Sequence, residues 1–297
     1  ADTGGSAAIG GSESAGGSST GGASSSGGAA SGGAMSTGGA SDTGGAASGG
    51  QAAGGAESSG GSENTGGDGS GGDDGSGGGD GSGGAETGEF QPCPATGPCK
   101  ILPFGDSITD GVGVSGGGGY RIELFSMALA DGHDITFTGS LTNGPGMVDG
   151  VSFPQNHEGH SGWTVSQIHA QVPSPALSDM PHIILLHIGT NDMWNGAAGA
   201  PDRLGDLLDD LITEAPDTLI AVSNIIPWPD QAGAVSTYNT GIEPVIQARI
   251  DSGAHVIFVD QFSAYPSGQL PDGIHPNAAG YAVMAEVWYD AISSYLP

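Results

Sequence analysis

The chain is short of positive charge. Lys100, Arg121, Arg203 and Arg249 are its only Lys and Arg residues, against 33 Asp and Glu, for a formal net charge of −29 over 297 residues. Binding to phosphate needs a basic stripe or patch, so this balance excludes nucleic acid and anionic membrane surfaces as partners and disfavours a polyanionic substrate. A neutral substrate suits such a surface, and the excess of one sign favours a soluble monomer. Long apolar runs are also missing. The longest, at 183–188, has the length of a strand, so no segment is available for membrane insertion. Cysteine is scarce: with Cys93 and Cys99 alone, no cysteine zinc set can be completed.

The first third of the chain lacks large apolar side chains almost entirely. Of the 60 glycines, 35 fall before Phe90, in imperfect Gly-Gly-[Ala/Ser]-x units. Such residues bury too little surface to offset the entropy of ordering the backbone, so residues 1–90 read as a disordered, acidic Gly/Ser/Ala-rich linker. As a Gly/Ser coil it would span roughly 50 Å root-mean-square. The stretch GDGSGGDDGSGGGDGSGG invites a calcium β-roll, but the regular large apolar residue that such a roll packs inward is absent. Residues 91–297 are left as one domain of ordinary size.

The chain starts at Ala1 rather than Met, and the expectation is that a secretion signal has been removed and the protein is secreted or tethered at a cell surface. In that compartment Cys93 and Cys99, in QPCPATGPCK, are expected to form a local disulfide; a metal or redox pair is the alternative, against which the spacing is not Cys-x-x-Cys.

From Lys100 onward, short and largely β-branched runs (KILPF, DITFTG, HIILLHIG, TLIAVSNI, HVIFVD) alternate with helix-length segments at 120–130, 164–172, 201–214, 233–250 and 277–295. Five such units predict an α/β fold: a doubly wound, three-layer α/β/α arrangement with a five-stranded parallel sheet. In that architecture the site lies beyond the carboxyl ends of the strands. There the chain places Ser107 in GDSITDG, Gly139 in FTGS, Asn191 in GTND, and Asp272 and His275 in DGIHP. A nucleophile, a base, a group to orient it and oxyanion donors are what acyl transfer requires. The order Ser, Asp, His without a Gly-x-Ser-x-Gly elbow argues against an α/β-hydrolase.

Taken in order, GDSITDG, the glycine of FTGS, GTND and DGIHP resemble the four motif blocks of the SGNH (GDSL-type) hydrolase superfamily, over essentially all of 100–297. KILPFGDSITDG, HEGHSGWTVSQI and LLHIGTND are similar, within it, to carbohydrate esterase family three, which contains acetyl xylan esterases. The resemblance implies the flavodoxin-like SGNH fold, Ser107 as nucleophile, Asp272 and His275 as the rest of the triad, and an oxyanion hole from Ser107, Gly139 and Asn191. It implies no metal or organic cofactor.

Plainer roles compete for several of these residues. Ser107 could be a helix cap, Asp272 a turn former and Asn191 a stabiliser of its own turn; their joint placement favours catalysis. Asp110 and Asp192 read as structural. HEGH at 157–160 is not HExxH and reads as a loop bordering the site rather than a metal set. His187, in an apolar strand, reads as a hydrogen-bonded core histidine, and Trp288 as core. Trp163, Trp194, Trp228 and His160 are expected to meet substrate, since an indole face suits a sugar ring. The expectation is a serine esterase removing small acyl groups, acetyl foremost, from a neutral polysaccharide such as xylan or from a small ester. The alternatives are a broader short-chain lipase-like esterase or thioesterase, and a non-catalytic glycan-binding surface protein.

Overall fold

A computed structural model of the chain describes residues 90–195 and 197–297. The linker and β-roll readings concern residues outside these.

All five expected strands form: β1 (Cys99–Gly105), β2 (Ile135–Phe137), β7 (Ile183–His187), β8 (Leu219–Ser223) and β9 (Val256–Val259). They pair in parallel in the order β2-β1-β7-β8-β9, with Ile101 opposite Phe137 on one side and Ile183 on the other. The sheet differs from expectation in having seven strands. β6 (Asn156–Gly159) joins the end of β1 in parallel beyond the point where β2 stops, and β3 (Leu141–Thr142) pairs antiparallel to β6. A separate small hairpin is formed by β4 (Met147–Val148) and β5 (Val151–Ser152).

Alternate strand residues feed two cores, as a period of two requires. Ile101, Ile183, Leu185 and Leu219 face α2 (Arg121–Asp131) and α7 (Ala278–Ile292), where Trp288 is fully buried as expected. Leu102, Ile184, Leu186 and Ile220 face α3 (Val165–His169), α4 (Ala200–Glu214) and α5 (Ala232–Asp251). Leu204, Leu207, Leu208 and Leu211, spaced at three and four, put one face of α4 wholly out of solvent; each such side chain contributes roughly 1.5–3 kcal/mol of burial. Two one-turn helices, α1 (Ser107–Asp110) and α6 (Gln261–Ala264), follow β1 and β9 directly.

The four basic side chains are absorbed by the fold. Arg121 is buried and donates to the carbonyls of Gln155 and Asn156. Arg203 pairs with Asp192 and Arg249 with Asp209, while Lys100 donates to the Asp179 carbonyl. Cys93 and Cys99 are disulfide-bonded. Together with His182 they make the one cysteine/histidine grouping among the described residues compact enough for a metal ion, and the disulfide occupies both sulfurs. No helix among the described residues is long and apolar enough to cross a membrane.

His187 is fully buried, as expected, but corrects one detail. Neither ring nitrogen has a hydrogen-bond partner among the described residues, and burial pushes the imidazole down to about 4.

Candidate active site

The carboxyl end of β1 cannot accept a side chain at position 105. A Cβ on Gly105 would lie 2.1 Å from the His187 carbonyl oxygen of neighbouring β7. The chain then turns at once into α1, with the buried Asp106 as its cap, accepting the Ile108 N–H at 3.0 Å. Burial pushes the Asp106 carboxyl up to about 6 against the opposing pull of that N–H. Ser107 thereby becomes the first residue of a one-turn helix, only 6% exposed, with its hydroxyl on the rim.

The loop before α7 brings the base to it. His275 Nε2 lies 2.9 Å from Ser107 Oγ, and His275 Nδ1 lies 2.7 Å from Asp272 Oδ2. The other carboxylate oxygen of Asp272 accepts the backbone N–H groups of Ile274 and His275 at 2.9 and 2.7 Å. Partial burial raises the Asp272 carboxyl, but these bonds outweigh it and hold the group down at about 2. With Asp272 ionised at neutral pH, a ring proton on Nδ1 is favoured, and Nε2 is then the nitrogen that faces the Ser107 hydroxyl.

Of the two other predicted residues, Asn191 lies on the wall of the cavity beside Ser107, and Gly139 is not among the residues lining it. Asn191 is the second residue of a 3-10 turn (Thr190–Asn195) after β7, and its Nδ2 donates to the Trp163 carbonyl at 2.9 Å, which fixes the amide plane. Asp192 works behind it: buried, it accepts the Val165 N–H and an Arg203 N–H, tying that turn to α3. Gly139 lies two residues beyond β2, in the left-handed region at φ +127°, and a Cβ there would meet the His157 carbonyl at 2.3–2.4 Å. Only glycine fits that contact.

Beside Ser107 lies a cavity of about 300 Å³ walled by Val112, Asn191, Trp194, Trp228, Ile274 and His275. Trp228 is buried and its ring meets Trp194 edge-on at 4.7 Å, while Trp194 is 63% exposed. Trp163 and His160, expected to meet substrate, are not among the residues lining this cavity. Their rings stack on one another at 4.0 Å, on either side of Ser161 and Gly162, which do line it.

The HEGH segment is not the loop expected. It forms β6, with His157 and Glu158 buried. His157 Nδ1 accepts the Gly159 N–H, and burial pushes its imidazole down to about 3. Glu158 is engaged with His160 and Ser140. Sequence reading passed over Glu158 because a polar Asn-His-Glu-Gly strand carries no apolar alternation to signal it.

The sequence profile of the GDSL-like lipase/acylhydrolase family matches residues 104–283, which takes in every one of these candidate-site segments. The chain belongs to that family. Among solved structures, this family member is similar to a family 3 carbohydrate esterase from Clostridium thermocellum, at 32% identity and a TM-score of 0.60, over 66% of this chain and 96% of that one. A carbohydrate esterase family 3 structure from Talaromyces cellulolyticus, 23% identical with a TM-score of 0.56 and the same coverage, shares the fold. A multidomain esterase of Ruminococcus flavefaciens is 34% identical over 233 residues, 68% of this chain. The chain spans 29% and 56% of the lengths of two curated relatives it matches.

Proposed function

We propose that this GDSL-family chain is a serine esterase that removes small acyl groups, chiefly acetyl, from a neutral carbohydrate. The observation that carries the reading is the unbroken relay Asp272, His275, Ser107, with donor–acceptor distances of 2.7 and 2.9 Å. Ser107 Oγ attacks the ester carbonyl while His275 Nε2 takes its proton; the imidazolium, stabilised by Asp272, returns it to the departing sugar oxygen. The tetrahedral O⁻ is met by the N–H groups of Ser107 and Gly139 and by the Asn191 amide. Water, deprotonated by His275, then releases the acid from the acyl-serine.

Two features favour an acyl group on a neutral carrier. The cavity beside Ser107, walled by Trp228 and Ile274, has room for an acyl group together with part of its carrier. The exposed Trp194 offers an indole face beside it, on a domain whose residues 91–297 carry 22 acidic and four basic side chains. The similarity to carbohydrate esterases supports a polysaccharide such as xylan. Residues 1–90, rich in Gly, Ser and Ala, are assigned the role of a linker to a secreted catalytic domain at 91–297.

Acetate release from acetylated xylan, compared between the parent chain and Ser107→Ala, tests this reading. The parent releases acetate, and the variant keeps its fold and loses activity by at least about 10³-fold. Faster turnover of medium-chain esters than of acetyl esters would overturn the acetyl assignment. Glycan binding without hydrolysis by the parent would overturn the enzyme.

A further inference from the structure

The proposed mechanism uses three oxyanion donors but says nothing about what holds them in register. Gly139 and Asn191 follow different strands, β2 and β7, which lie on opposite sides of β1. A donor misplaced by about 1 Å can cost on the order of 100-fold in rate, so something must set their separation.

One side chain touches both supports. Glu158 is fully buried on β6. Its Oε2 accepts the backbone N–H of Ser140 at 2.7 Å and its Oε1 accepts the Ser140 hydroxyl at 3.0 Å, which clamps the residue immediately after Gly139. Two residues earlier on the same strand, Asn156 completes the clamp, since its Nδ2 donates to the Gly139 carbonyl at 2.9 Å. Toward the other donor, Glu158 Oε1 also accepts from His160 Nε2 at 2.7 Å. The His160 ring stacks on Trp163, and the Trp163 carbonyl orients the Asn191 amide. His160 N–H donates to the Gly105 carbonyl, so the same segment is also pinned to the strand that delivers Ser107.

The geometry points to Glu158 as a positioning residue that sets both remote oxyanion donors, Gly139 through Ser140 and Asn191 through the His160–Trp163 stack. The inference rests on the esterase reading above. It also accounts for the choice of side chain. Three donors converge on two oxygens, and a carboxylate accepts all three. A glutamine of the same shape replaces charge-assisted bonds with neutral ones, and its NH₂ on the Oε1 side forces the Ser140 hydroxyl and His160 Nε2 to turn from donor to acceptor, so the clamp weakens. An aspartate is one methylene too short to span from β6 to Ser140.

The test is steady-state hydrolysis of a chromogenic acetyl ester by the full chain, by Glu158→Gln, by Asn191→Ala and by the double variant. Glu158→Gln is expected to lower kcat by about 10- to 100-fold with KM within about threefold, because the interaction lost is made to the transition state. The double variant is expected to lose less than the product of the two single losses, since part of the Glu158 effect passes through Asn191. A purely structural role would leave the two losses multiplicative. Where Glu158→Gln does not fold, His160→Phe keeps an aromatic ring on Trp163 while cutting the link to Glu158, and kcat is expected to fall by at least about fivefold. Ser107-dependent hydrolysis with kcat unchanged in these variants, a loss confined to KM, or strictly multiplicative losses overturns this role for Glu158 alone. A parent chain with no Ser107-dependent hydrolysis overturns the esterase reading and this inference with it.

Discussion

Asp272 and Asp106 are both aspartates within reach of the same histidine, yet their environments drive them apart. Asp272, partly exposed, accepts two backbone N–H groups and the His275 ring, and is held at about 2. Asp106, fully buried with one backbone donor, is pushed up to about 6. The first is therefore the charge available to support an imidazolium under the proposed mechanism, while the second is a cap for α1. Among the oxyanion donors, Asn191 can be removed with least disturbance to the backbone. Asn191→Ala is expected to lower kcat by about 100-fold with KM little changed, measured on an acetyl ester against the parent. A matched rise in KM instead would place Asn191 in ground-state binding.

The turns after the strands carry the chemistry, while the strands themselves fix where those turns begin. Gly139 shows how tightly. Its φ of +127° and its contact with the His157 carbonyl leave no room for a methyl group. Gly139→Ala is expected to displace the start of β3, lower kcat by at least about tenfold and destabilise the domain by about 1–3 kcal/mol. Activity assays and thermal melts of the same preparation check both. The five parallel strands and their helices were legible in the sequence because buried β-branched runs and the three-and-four spacing of Leu204, Leu207, Leu208 and Leu211 are strong periodic signals. The positions of Ser107, Asp272, His275, Asn191 and Gly139 followed from reading what comes after each strand. β3 and β6 were not legible, because they are two and four residues long and owe their pairing to the open edge of β1 beyond β2. The same gap hid Glu158.

At the scale of the whole molecule, charge and burial act separately. Each of the four cations is engaged by a carboxylate or a backbone carbonyl. Burial sets the response to acid. The folded-state pKa of His187 is depressed to about 4, so the unfolded chain binds the proton first as pH falls below about 6.5. Stability from this group is complete above that value and declines toward pH 4, by roughly 3 kcal/mol. Asp106, raised to about 6, acts in the opposite sense, since the folded state holds its proton between about pH 6 and 4. Denaturant melts at pH 7 and 4.5 are therefore expected to show a smaller acid loss in His187→Gln than in the parent, and a larger one in Asp106→Asn. Equal pH dependence in parent and His187→Gln would contradict the assignment.

The central claim is that Ser107 carries the acyl group. Its most direct test is mass spectrometry of the chain quenched in acid during turnover of an acetyl ester. The account predicts one acetyl group on the peptide containing Ser107, absent from Ser107→Ala. Undiminished ester hydrolysis by Ser107→Ala, or an acetyl adduct on another residue that turns over at the steady-state rate, would contradict it.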